Sequence, residues 1–325
     1  MEKIKFLTMA ALATAFFASC SNEDGLPQSN YPADNVVRIT TSVDGMNTRA
    51  SYGGSTAKLS SFGFCINNAG SDKYTYDNIK VTQENGKWNP ATQMLWQNST
   101  TAVDILAYAP YQANGNVKIF GKSDYAFSVK EDQSIAEDYS SDLIVYKQTG
   151  FKPESDLNTN QAVNVAFTHL LSQLNLTIEL RDQFNQDEKK PVTSATVTDV
   201  KVNGTIISSK VDFSASPISV QVDDTQEATA ITPETTEFKA AGKTTDHAAF
   251  NYSAIVIPQT VTAGNFSISF KVDGTDYIWT STSDVNFVSG NKHQLSLLVG
   301  KDVVQVKGIT ATPWGKENIT QGETD

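Results

Sequence analysis

Cysteine, histidine and arginine are all scarce in this chain of 325 residues, with two cysteines, three histidines and three arginines. Cys20 falls where an exported precursor would be cut, which leaves Cys65 alone in the body of the chain. No intramolecular disulfide can form there, so packed cores must carry stability. Cys65 sits in the apolar run Phe62-Gly63-Phe64-Cys65-Ile66, which suits a small buried hydrophobe. His169, His247 and His293 share no metal-ligand spacing. Basic side chains are also in deficit, with 25 against 36 acidic ones and a net charge of −11. A chain without a basic face is not expected to bind nucleic acid or an anionic lipid surface. After the N-terminus no stretch approaches the roughly 20 apolar residues of a membrane helix. The motifs of common catalysts are missing too: no G-x-S-x-G elbow, no P-loop and no H-E-x-x-H. Asp223-Asp224 and Glu131-Asp132 are neighbours in polar loops. A glycosidase needs two carboxylates facing each other across a cleft about 5–10 Å wide. No catalytic residue, metal or cofactor is expected.

The first twenty residues read as an export signal. Lys3 and Lys5 precede the uncharged run Phe6 to Phe17, and Ala18-Ser19-Cys20 closes it. Such a run suits a signal peptide and is too short to span a bilayer. Small residues ahead of a cysteine suit a lipoprotein peptidase, so residues 1–19 are expected to be removed and Cys20 to be lipidated. More than one acyl chain at about 0.8 kcal/mol per buried methylene would anchor the protein stably. Residues 20–35 then form a tether.

Beyond the tether, Thr, Ser, Val and aromatics alternate between turn signals. Val37, Ile39, Thr41 and Val43 fall on one side of a strand spanning 36–43. Three hairpins are expected, at Asn85-Gly86, Asn203-Gly204 and Asp273-Gly274, because type I′ turns need positive φ at both central residues. Lys152 to Gln161 holds one apolar residue and many turn formers, the mark of a linker. The expectation is an all-β chain with two tandem antiparallel β-sandwich domains, at 36–155 and 156–325. The Leu-rich stretch Leu170 to Leu176 leaves room for a brief helix. Trp279 on an alternating strand suits a core, while Trp96 is open to either a core or a sugar-stacking role.

Arginine is scarce enough to be informative. Arg38 lies inside the first strand and Arg181 at a strand end, whereas Arg49 stands in a polar, Gly-bearing stretch that a protease can draw out. Cleavage between Arg49 and Ala50 would sever strand 36–43 from its domain. If it left, the places of Val37, Ile39 and Val43 would form an apolar groove beside an unpaired ladder, each side chain having contributed roughly 1.5–3 kcal/mol. Such an edge invites a strand from another molecule.

In order along the chain, several runs resemble the fimbrillin family of type V pilins and Mfa-like subunits of Gram-negative anaerobes. They are Cys20-Ser21-Asn22-Glu23-Asp24, Thr48-Arg49-Ala50, Leu106 to Tyr111, Phe167 to Leu174, Ile257-Pro258-Gln259, Gly290-Asn291-Lys292-His293 and Ile309 to Trp314. The resemblance implies transthyretin-like sandwiches and a lipid-anchored precursor at the outer membrane and cell surface. It also implies processing by an Arg-specific protease and assembly with other pilus subunits by donor-strand exchange, in the service of adhesion to a host or bacterial surface ligand. Cys20 then matches the lipidation site and Arg49 with Ala50 the processing site. The last plausible strand, 303–311 with Val304, Val306 and Ile309, becomes the candidate donor; the 315–325 tail, with only Ile319 apolar, would fill a groove poorly. A surface glycan-binding lipoprotein of a polysaccharide-uptake system is the alternative, since it would share the signal, the tether and the sandwiches.

Overall fold

A computed structural model describes residues 30–43, 58–113, 118–135, 137–185 and 195–314. The expected lipidation site Cys20 and processing site Arg49-Ala50 lie outside the described residues.

The strands in the first half are β1 (Ile39–Val43), β2 (Ser61–Asn67), β3 (Tyr76–Glu84), β4 (Lys87–Pro90), β5 (Val103–Ala109), β6 (Tyr125–Ser128) and β7 (Ile144–Phe151). Next come β8 (Val163–His169), β9 (Ser172–Leu180), β10 (Val197–Asn203), β11 (Ser208–Asp212), β12 (Ser219–Val222) and β13 (Glu234–Lys239). The last are β14 (Ala248–Val256), β15 (Gln259–Val261), β16 (Ser267–Val272), β17 (Thr275–Thr280), β18 (Val285–Phe287), β19 (Asn291–Val299) and β20 (Val304–Pro313). A seven-stranded sheet runs β1-β8-β7-β5-β2-β3-β4, and a five-stranded sheet runs β13-β14-β9-β19-β20. Two three-stranded sheets, β10-β16-β17 and β12-β11-β6, and the pair β15-β18 complete the fold.

The chain is thus built of β-sheets, as expected, but two pairings are parallel. β1 runs parallel to β8, and β19 parallel to β9. Alternation of side chains is the same in either sense, so the pattern carried no sign of direction.

Burial explains two sequence styles. In β2 the side chains of Phe62, Phe64 and Ile66 enter one core and Cys65 enters another. β5 does the same, with Ile105 and Ala107 on one side and Leu106 and Tyr108 on the other. Strands covered on both faces read as unbroken apolar runs. By contrast, β8 buries every second residue and exposes Asn164, Ala166 and Thr168. Gly63 is required on the doubly covered β2, because a Cβ there would lie 2.3 Å from the Tyr108 ring.

Two of the three expected hairpins form. Asn85 and Gly86 have φ of 52° and 74° between β3 and β4, and Asp273 and Gly274 have 49° and 81° between β16 and β17. Asn203-Gly204 does not turn a hairpin, since β10 pairs with β16 and β11 with β6 and β12. Gly204 serves close approach instead, where a Cβ would fall 2.0 Å from the Asn265 carbonyl oxygen.

The sheets do not follow a division at residue 155. β6 pairs with β11, and β8 completes the seven-stranded sheet. The run Val165 to Leu180 changes sheets at Leu170 and Leu171, without the brief helix that its leucines allowed. The expected linker is itself packed: Pro153–Asp156 is a single helical turn, and Leu157 joins the core behind β1. Lys147 of β7 ties the halves further by donating to the carbonyls of Phe213, Ser214 and Ala215 at 2.8–2.9 Å.

Candidate functional site

Two outer strands carry the interest of this molecule, one at the edge of each large sheet. β1 pairs with β8 from Ile39↔Val163 to Val43↔Phe167. Its inward side chains and that of Val37 just ahead of it are deeply buried, with Val37, Ile39 and Val43 at 3%, 7% and 7% exposure. They join Phe62, Phe64, Trp96, Phe151 and Phe167 in one core. The residues before β1 cross to another segment, where the Val37 amide donates to the Met94 carbonyl at 3.0 Å and the Trp96 amide to Asn35 at 2.8 Å. Asn158 Nδ2 donates to Thr40 Oγ1 at 3.0 Å, and Asn30 Nδ2 to the Leu157 carbonyl at 3.0 Å. Thr41 Oγ1 is buried without a hydrogen-bond partner. Arg38 lies just ahead of β1 with its guanidinium partly exposed and paired to Asp34 at 2.6 Å. That hydrogen-bonded pair holds the Asp34 carboxyl below its usual range and raises Arg38. The outer side of β1 looks across a groove of about 810 Å³ to Trp88 and Pro90 of β4.

β20 is held differently. It follows β19 antiparallel from Val299↔Val304 to Asn291↔Pro313, with a bulge at Lys307. The bulge places Val304, Val306 and Ile309 opposite Val299, Leu297 and Leu295, all three of which face the core. Yet Val306 and Ile309 remain 46% and 42% exposed, because no described residue covers this edge of the core. Polar ties run outside: Lys307 Nζ reaches Glu179 at 2.8 and 3.0 Å, and Arg181 Nη2 reaches Gln305 Oε1 at 2.5 Å.

The remaining candidates for chemistry are structural. Asp132 accepts hydrogen bonds from the Ser134 amide and hydroxyl, and Asp223 from Thr225 and Lys210, which keeps both carboxyls low. His293 Nε2 accepts from the Val288 amide at 3.1 Å, and burial lowers its pKa. His247 faces Glu179 at 3.4 Å. Burial pushes the Cys65 thiol well up, so it is the inert hydrophobe its run suggested. Trp96 stacks on Phe151 at 5.6 Å, Trp88 meets Phe62 edge-on at 5.0 Å, and Trp279 meets Phe266 at 6.2 Å. These rings serve packing. Among the described residues no group of three or more His, Cys, Asp or Glu could hold a metal ion.

Among the described residues, the strand edges stand out more than any cleft of convergent polar groups, in a protein built almost wholly of β-sheet. The chain belongs to the fimbrillin-like family, whose model matches residues 48–314. Its fold is similar to that of a putative cell adhesion protein from Bacteroides uniformis ATCC 8492, at 20% identity and a TM-score of 0.58 over 87% of this chain and 99% of that one. A putative cell adhesion protein from Bacteroides ovatus ATCC 8483 matches over the same shares at 12% identity and a TM-score of 0.61. A fimbrial protein from Bacteroides vulgatus ATCC 8482 matches 85% of this chain and 99% of its own, at 16% identity and a TM-score of 0.53. A search of curated protein sequences finds no match.

Proposed function

We propose that this chain is a fimbrial subunit or accessory component, exported as a lipoprotein tethered through Cys20, processed between Arg49 and Ala50, and joined to its partners by donor-strand exchange. Membership of the fimbrillin-like family supports a structural role at the cell surface in association with other pilus components. The observation that carries the finer reading is the position of β1. It is an outer strand, it ends at Val43 only a few residues before Arg49, and it buries apolar side chains that would leave a groove. A replacement strand with apolar residues at alternate positions would restore both the ladder to β8 and the packing. Val304, Val306 and Ile309 of a second subunit offer such a face on a strand that buries little at home. Two sandwich domains, one around the seven-stranded sheet and one around the five-stranded sheet, belong to the same reading. The outer membrane is the anchoring site, and the adhesion target is a surface ligand.

The test is limited digestion with an Arg-specific protease, followed by N-terminal sequencing and native mass analysis. A new terminus at Ala50 and a ladder of multimers are expected, and Arg49→Ala should block assembly while leaving export unchanged. A clipped chain that stays monomeric at high concentration would sink strand exchange.

A further inference from the structure

Three of the runs that carried the resemblance meet at one point in space. His169 ends β8, Lys292 lies in β19, and Trp314 directly follows β20. The Trp314 indole stacks on the His169 imidazole with ring centres 3.8 Å apart and planes 8° apart. His169 Nδ1 stands 2.9 Å from Asp142 Oδ1, and both side chains are fully buried. This buried hydrogen bond fixes the orientation of the ring. Lys292 Nζ lies 5.5 Å from the centre of the indole, within cation–π range. The Trp314 amide donates to the Gly290 carbonyl at 2.7 Å, and the Gly290 amide donates to Leu171 at 3.0 Å.

The stack matters because β20 is otherwise held by its ladder to β19 and a few polar ties, with little burial of its side chains. From residue 304 to 314 only Trp314 is buried. An indole is the largest apolar surface a single residue can bring, so the grip of this segment on the core is concentrated at its end. The other half of the stack belongs to β8, the strand that also supports β1. Residues 163–167 pair with β1, whereas β8 meets β7 only at Ile144↔His169 and Val145↔Thr168. Both outer strands therefore depend on β8.

We propose that the His169–Trp314 stack is a catch on the C-terminal strand, holding β20 while Trp314 is seated and letting go when β1 leaves β8. This rests on the strand-exchange reading and adds an order of events to it. Loss of β1 strips five of the seven ladder pairs of β8 and leaves the two nearest His169. β8 is then held only at its His169 end, so the platform under the indole loosens, and β20 keeps its ladder to β19 and its polar ties to Glu179 and Arg181. A subunit with its own first strand in place thus keeps its last strand docked.

Hydrogen–deuterium exchange on the full chain tests this directly. Trp314→Ala should raise exchange across residues 304–313 at least about ten-fold while β14 stays as protected as before. Trp314→Phe, which keeps a ring on His169, should restore most of the protection. Removal of β1 by an Arg-specific protease should raise exchange in 304–313 by a similar factor. Unchanged exchange in the alanine variant, or after β1 has gone, would overturn the catch. So would an equal rise in β14, or equal behaviour of the alanine and phenylalanine variants, since each marks Trp314 as a general packing residue. If the alanine variant does not fold, the phenylalanine variant and the digested wild type decide between the same outcomes. A strand that stays protected while multimers form would refute the catch alone. A freed strand without multimers would support the catch and count against strand exchange.

Discussion

β1 is held by its side chains and β20 by its backbone, although both are outer strands of large sheets. Val37, Ile39 and Val43 sink into an aromatic core, whereas the side chains from Gln305 to Ala311 stay largely in water above a long ladder. The difference teaches what each edge can do. A strand gripped by its side chains leaves a shaped vacancy when it goes. One gripped mainly by its backbone takes its apolar face with it and leaves little behind. Under the proposed strand exchange, acceptor and donor roles would follow from where the burial energy sits.

Substitutions can break or sharpen this contrast. Ile39→Asn places an amide in the core beneath β1 and should destabilise the folded chain by about 3 kcal/mol, measured by denaturant unfolding. Thr41→Val removes a buried hydroxyl without a partner and should stabilise the same edge by about 1 kcal/mol. His293, whose ladder partner is Ala311 in β20, tests the other edge through pH. Its folded pKa lies below the ordinary 6.5, because burial disfavours the imidazolium. Its contribution is therefore complete above pH 6.5 and lost as pH falls below that value toward the folded pKa. Thermal unfolding midpoints should drop over that window, and His293→Gln should flatten the drop. The smallest effect is expected from Val306→Thr and Ile309→Thr, each changing stability by less than about 0.5 kcal/mol in the same unfolding assay. A large loss there would erase the contrast.

Much of this architecture was legible in the residues. The apolar run at Phe62 to Ile66 suited a buried Cys65, and Asn85-Gly86 and Asp273-Gly274 announced hairpins whose central residues have positive φ. Asn203-Gly204 looked the same and was not, because its glycine answers to a backbone that arrives from Asn265. A dipeptide cannot signal a neighbour more than sixty residues away. The parallel sense of β1 and β8 was hidden for a related reason, since register and direction belong to pairs of strands. The apolar face 37, 39 and 43 was readable from alternation alone, but the exposure of Val306 and Ile309 was not. Their strand alternates well enough to suggest burial, and only the absence of a covering layer among the described residues leaves them wet. The union of His169, Asp142 and Trp314 could not be read at all, because nothing local marks three distant residues as neighbours.

The direction of β1 has one last implication. Parallel ladders use slanted hydrogen bonds and are slightly weaker per residue than antiparallel ones. The resident strand therefore sits in the less favourable of the two orientations available along β8. A guest strand running antiparallel to β8 would form straighter hydrogen bonds to the same edge.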